Sequence, residues 1–214
     1  MPAQVVGAHR GERSPHLPDR SPQTVHDHRV PGRNRHAGHP PSRGCTMWRM
    51  VPRVGDPAPQ FDLEGVPPTP GGRYRLADQR GRVVVLAFYP GDFTPVCTRQ
   101  LQSYEDQRQR LVQTGAVLWA ISTDTLEKHE RMAKSYALSF PLLADEGGNV
   151  ASLYGVRSML GSARRSIFLI DREGVIRYRH EEPLSLSYSS VDDIISALGA
   201  SGLTPQLAAS PSVH

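Results

Sequence analysis

Cys97 closes the stretch YPGDFTPVC, Tyr89 to Cys97, and is one of two cysteines in a chain of 214 residues. A thiol becomes a strong nucleophile only as the thiolate, so the question is whether the surrounding chain favours the anion. An apolar strand candidate enters this stretch and an amphipathic helix candidate leaves it, which predicts Cys97 in the first turn of a helix. Unpaired backbone N–H groups and the positive end of the helix dipole both favour an anion there. Thr94, three residues before the sulfur, brings a hydroxyl that can donate or accept beside it. Pro90 and Pro95 stiffen the loop and remove two backbone donors. The chemistry this arrangement suits is attack by sulfur on an electrophile. The same residues also fit a buried structural cysteine, a threonine that caps a helix and a proline that ends a strand.

The elements that must position Cys97 are legible on either side. Val83 to Tyr89 (VVVLAFY) is a short apolar, β-branched run between Gly81 and Pro90, the pattern of a strand covered on both faces. Leu101, Tyr104, Leu111 and Val112 recur near helical spacing, predicting one helix from about Thr98 to Gln113 before Gly115. Ala116 to Ser122 (AVLWAIS) is a second apolar strand, which gives a parallel strand–helix–strand unit. Leu126 to Ala137 reads as a charged surface helix, and Asn149 to Tyr154 as a brief one. Ser166 to Ile170 and Val175 to Arg179 form a hairpin around Asp171 to Gly174. Val191 to Leu198 is a final helix with Ser190 as its cap and Gly199 as its stop. Strands alternating with helices and then a hairpin predict an α/β fold, a mixed central sheet with helices on both faces.

Composition narrows the partners. The formal charge is +4, but Met1 to Thr46 holds seven arginines and three acids, and the remainder has equal numbers of basic and acidic residues. The folded part therefore offers no general excess of charge to nucleic acid. No apolar run reaches eighteen residues, so no membrane span is expected. Two cysteines, Cys45 and Cys97, give neither a disulfide framework nor a zinc ribbon, so no metal and no cofactor is expected. A reducing compartment, the cytoplasm, is the expected location. Residues 1–50 lack apolar clustering and are expected to be a disordered extension, residues 51–200 the folded domain and residues 201–214 a flexible tail.

The spacing Pro90-x-x-x-Thr94-x-x-Cys97 resembles the active-site signature of the peroxiredoxins, thiol peroxidases on a thioredoxin-like fold. Two further stretches are similar to theirs in the right order: GDPAPQFDL at Gly55 to Leu63 and ARRSIFLID at Ala163 to Asp171. The resemblance covers roughly Val51 to Ala200, and CTRQL after the cysteine resembles the peroxiredoxin Q, or bacterioferritin comigratory protein, type. It implies a peroxidase acting on hydrogen peroxide and organic hydroperoxides through a sulfenic acid on Cys97. It implies too that Arg165, three residues before Phe168, and Thr94 hold the peroxide while Pro90 shields the sulfur. Without it, Arg165 beside Arg164 reads as a surface arginine. The reductant would be thioredoxin, a glutaredoxin-like protein or a small thiol, and the protein a monomer or homodimer. Many relatives of this type carry a second cysteine five residues after the first; here that position is Gln102. A one-cysteine cycle is therefore expected, with Cys45 the internal alternative.

Two other functions fit the thiol. A thioredoxin-like disulfide oxidoreductase needs Cys-x-x-Cys, and Thr94 stands at the partner position. A non-enzymatic redox sensor needs only a reactive sulfur. Gln100 is read as support for the site, His129 as part of a surface helix, His180 as a strand end and Trp119 as core.

Overall fold

A computed structural model describes residues 51–67, 72–182 and 187–204. The expected N-terminal extension, Cys45 and all but the start of the expected C-terminal tail lie outside the described residues. The strands are β1 (Asp62–Val66), β2 (Arg73–Arg75), β3 (Val83–Phe88), β4 (Ala116–Ser122), β5 (Leu142–Ala144), β6 (Ser166–Ile170) and β7 (Ile176–Glu181). The helices are α1 (Pro95–Asp106), α2 (Arg108–Gln113), α3 (Leu126–Tyr136), α4 (Asn149–Leu153) and α5 (Val191–Ala200).

The strands form one sheet in the order β2-β1-β5-β4-β3-β6-β7. β3, β4 and β5 run parallel, and the remaining pairings are antiparallel. A mixed sheet is what the strand, helix, strand unit followed by a hairpin predicts. β3 sits inside the sheet with all six residues buried, because Val, Leu, Ala and Phe leave no polar atom to hydrate on either face. Its alternation divides the core in two. Val83, Val85, Ala87 and Tyr89 pack with Leu101, Tyr104, Met132 and Ile194, and Val84, Leu86 and Phe88 with Trp119, Tyr154 and Phe168. Leu101 and Tyr104 come from α1, Met132 from α3 and Ile194 from α5, while Val150 and Ala151 of α4 join the second cluster.

Several boundaries differ from the sequence reading. The helix expected over Thr98 to Gln113 starts at Pro95 and breaks at Gln107, whose φ of −108° and ψ of 14° leave the helical region. Gly199 does not stop α5. The stop is Gly202 at φ +66°, where the Leu203 N–H donates to the Leu198 carbonyl and the Gly202 N–H to the Gly199 carbonyl, a Schellman closure. That closure buries Leu203, so packing continues past the boundary expected at Ala200. At its other end α5 has a complete capping box between Ser190 and Asp193. Among the described residues no helix is long and apolar enough to cross a membrane.

Candidate active site

The carboxyl end of β3 turns at Tyr89 and Pro90 and enters α1 through Thr94 at its N-cap and Pro95 at its first position. Proline is favoured there because its missing N–H would have had no helical partner and its φ is already helical. Cys97 is the third residue of α1, and its side chain is buried, 1% exposed, against β3. The first intrahelical bond runs from the Thr98 N–H to the Thr94 carbonyl at 2.9 Å, so the N–H groups of Val96 and Cys97 lie ahead of the helical ladder.

Arg165 directly precedes β6, the antiparallel neighbour of β3, and pairing of Phe88 with Ser166 brings it alongside the start of α1. Its Nη2 lies 3.3 Å from the Cys97 sulfur, and its Nη1 donates to the Gln100 side-chain oxygen, Oε1, one turn further along α1. Gln100 in turn donates to the Tyr104 hydroxyl at 3.0 Å, which donates to the Ser189 carbonyl at 2.8 Å. Burial pushes the Tyr104 phenol well above its ordinary range, so it remains a donor to Ser189. Arg165 is 4% exposed and, among the described residues, forms no ion pair with a carboxylate. Its Nε is buried without a hydrogen-bond partner. A buried guanidinium without a carboxylate favours a negative charge on whatever lies beside it, and the sulfur lies beside it.

The other two expected site residues are placed differently. Pro90 is half-buried and, with Arg165, Leu160, Ser158 and Ser162, lines a hollow of about 300 Å³ at the mouth. Thr94 is exposed at the N-cap, and its hydroxyl donates to the Gly91 carbonyl at 3.2 Å rather than to the sulfur. It makes no side-chain capping bond either, so the capping alternative for Thr94 holds in position but not in contact.

His129 is a correction. It was expected on a solvent face of α3, but it is fully buried. Its Nδ1 lies 2.7 Å from Asp92 and its Nε2 3.2 Å from the Leu143 carbonyl. The sequence held a signal for this, because His129, Met132, Ala133 and Tyr136 fall at i, i+3, i+4 and i+7, the spacing of one helix face.

The model of the AhpC/TSA family matches residues 54–179, which include Pro90, Thr94, Cys97 and Arg165. The chain belongs to the AhpC/TSA family. The Bacillus subtilis peroxiredoxin Bcp is 33% identical over 133 residues, 58% of this chain and 82% of that protein. The chloroplastic peroxiredoxin Q of Triticum aestivum is 36% identical over 126 residues, which is 58% of this chain and 57% of the wheat protein. The crystal structure of peroxidoxin BcpB from Mycobacterium tuberculosis superposes with a TM-score of 0.62 at 29% identity, covering 70% of this chain and 97% of that one. This is a peroxiredoxin of the Q type, with the thioredoxin-like fold and a thiol-dependent peroxidase activity. The activity takes a peroxide as substrate and a thiol as reductant.

Proposed function

We propose that Cys97 is the sulfur that attacks the peroxide and that the enzyme runs a one-cysteine cycle on hydrogen peroxide and organic hydroperoxides. The observation that carries this reading is the Arg165 Nη2 held 3.3 Å from the Cys97 sulfur in a buried setting. The thiolate attacks one peroxide oxygen, the O–O bond breaks, and the second oxygen leaves with the electron pair as alkoxide or hydroxide, taking a proton to become alcohol or water. Charge therefore moves from sulfur to the leaving oxygen. A guanidinium beside both positions stabilises the start and the end of that movement, and its unpartnered Nε supplies a donor that a peroxide oxygen can accept from. The N–H groups of Val96 and Cys97 add donors at the start of α1. Thr94 turns its hydroxyl from the Gly91 carbonyl toward the bound peroxide, and Pro90 keeps water from the sulfur at the mouth.

The product is a sulfenic acid on Cys97. An external thiol attacks it, releasing water and leaving a mixed disulfide, and a second thiol frees Cys97 and departs as the oxidised disulfide. Gln102 occupies the position of the second cysteine in many relatives, which supports an external reductant: thioredoxin, a glutaredoxin-like protein or a small thiol. Such a cycle suits the reducing cytoplasm, in a protein that is a monomer or a homodimer.

The test is peroxide consumption with dithiothreitol as reductant, by the wild type and by Cys97→Ser. Loss of consumption in the variant is expected; equal rates would remove Cys97 from the chemistry.

A further inference from the structure

Behind the turn that carries Cys97 lies a buried polar cluster which the peroxide chemistry leaves unused. Tyr89, Asp92 and His129 are at most 2% exposed. The Tyr89 hydroxyl donates to Asp92 Oδ1 at 2.7 Å, and Asp92 Oδ2 faces His129 Nδ1 at 2.7 Å. Burial, with Asp92 beside it, pushes the Tyr89 phenol up, which keeps it a donor. The Leu143 carbonyl opposite His129 Nε2 can only accept, so that nitrogen carries a proton. Nδ1 and Asp92 Oδ2 share the remaining hydrogen bond, which closes a buried Tyr89–Asp92–His129 chain. A buried pair of this kind contributes little net stability over apolar side chains of the same volume. Geometry is the contribution left to it.

The neighbouring residues show what geometry is being held. The Asp92 N–H donates to Asp124 Oδ2 at 2.5 Å, and Asp124 is anchored by Lys128 Nζ at 2.7 Å. Gly91 lies so close that a Cβ there would come within 2.9 Å of the same Asp124 oxygen. The loop is thus pinned to the start of α3 through both the main chain and the side chain of Asp92. The next residue, Phe93, has φ of +60°, a left-handed conformation that disfavours a bulky L side chain. Its own packing is slight: the residue is 45% exposed and its ring lies tilted toward Tyr136, with centroids 6.4 Å apart. Strained backbone persists where the surroundings over-determine it. This kink delivers the chain to Thr94 and the first turn of α1.

We propose that Asp92 and His129 are a positioning pair for the peroxidase reaction, holding Phe93 in its left-handed kink and so setting the first turn of α1 against Arg165. The proposal rests on the reading that Cys97 is the attacking sulfur. Neither residue touches the substrate; both act through the position of α1.

The variants separate geometry from charge. Asp92→Asn removes the carboxylate and retains the contacts, because its amide nitrogen can donate to Nδ1 while its oxygen still accepts from Tyr89. His129→Gln places an amide nitrogen near the Nε2 position and keeps the Leu143 contact, but offers Asp92 nothing. On folded protein, the two readouts are the ultraviolet absorbance of the thiolate at neutral pH and the second-order rate of Cys97 oxidation by hydrogen peroxide. Both are taken in the wild-type and the Phe93→Gly backgrounds. Asp92→Asn is expected within about threefold of the parent rate, while His129→Gln loses about tenfold or more together with thiolate absorbance. In the Phe93→Gly background that loss shrinks to about threefold, since glycine adopts the kink without strain. If His129→Gln does not fold, Asp92→Ala, which releases the loop without leaving a buried carboxylate, is expected to show the same loss. An unchanged rate and absorbance in the folded His129→Gln or Asp92→Ala protein would overturn the proposal. A loss of equal size in both backgrounds, or an Asp92→Asn protein as impaired as His129→Gln, would overturn it too. The absorbance needs no peroxide, so it reports on positioning independently of whether peroxide is consumed.

Discussion

Arg165 Nη2 and Cys97 Sγ lie 3.3 Å apart across 68 residues of sequence. The antiparallel pairing of β6 with β3 makes this contact, because Ser166 sits opposite Phe88 and Arg165 therefore reaches the loop that β3 feeds. Arg165→Gln removes the charge and retains a planar donor. The rate of Cys97 oxidation by peroxide should fall by about a hundredfold or more in stopped-flow measurements, the scale of losing an electrostatic contact to a developing anion. Arg165→Lys keeps the charge but not the fork, and should recover only part of the loss.

Gln100 transmits position rather than charge. It accepts from Arg165 and donates to Tyr104, which anchors on the Ser189 carbonyl ahead of α5. Gln100→Leu leaves Arg165 Nη1 without its acceptor inside the protein, and should lower the peroxide rate by about tenfold. Tyr104→Phe removes the hydroxyl that accepts from Gln100 and donates to Ser189, but leaves the contact between Gln100 and Arg165 in place, and should cost less. Comparing both rates on folded protein checks this order.

Acid stability has a candidate in Asp171. Burial pushes its carboxyl up, but the N–H groups of Val175 and Glu173 and the Arg177 guanidinium outweigh burial, and hold it below the ordinary aspartate value of 3.8. These contacts are 2.8, 3.0 and 2.5 Å long. A carboxyl more acidic in the folded than in the unfolded state contributes stability that is fully present above the ordinary value, and is lost as pH falls through the lower folded value. Denaturant midpoints measured across the acid limb should therefore fall less steeply for Asp171→Asn than for the wild type. The variant should also be less stable at neutral pH.

The centre of the sheet gives a stability prediction free of the active site. Leu86 is fully buried in β3 among Trp119, Phe88 and Phe168. Leu86→Ala should lower the unfolding free energy by about 2–5 kcal/mol in a denaturant titration.

The parts legible in the sequence are those fixed by local pattern. Val83 to Tyr89 reads as a covered strand and β3 takes all of it but the last residue, Ser190 announced α5, and Ala116 to Ser122 and Ser166 to Ile170 have the bounds their apolar runs suggest. Cys97 in the first turn of α1 followed from the strand before it and the helix after it. Arg165 did not follow from local pattern, since two adjacent arginines look like surface; only the resemblance to the family's arginine, three residues before a phenylalanine, distinguished it, and in the fold β pairing brings it to the sulfur. His129 was missed because its charged neighbours Lys128, Glu130 and Arg131 hide a spacing that Met132 and Ala133 share. The break at Gln107 carries no glycine or proline to announce it, and Gly199 looked like a stop because the closing glycine, Gly202, is three residues further on.

The reductive half of the cycle is open to direct observation as well. If the cycle uses one cysteine, Cys45→Ser should turn over peroxide with dithiothreitol at the wild-type rate, and non-reducing peptide mapping of oxidised wild type should find no Cys45–Cys97 link.

The most direct test is the intact mass of the protein after one equivalent of hydrogen peroxide, with and without a trap for sulfenic acid, followed by peptide mapping. A gain of one oxygen on Cys97, captured by the trap and absent from Cys97→Ser and Arg165→Gln on the same timescale, is the predicted result. Oxidation of wild type elsewhere with Cys97 left as a thiol, or equally fast oxidation of Cys97 in Arg165→Gln, would contradict it.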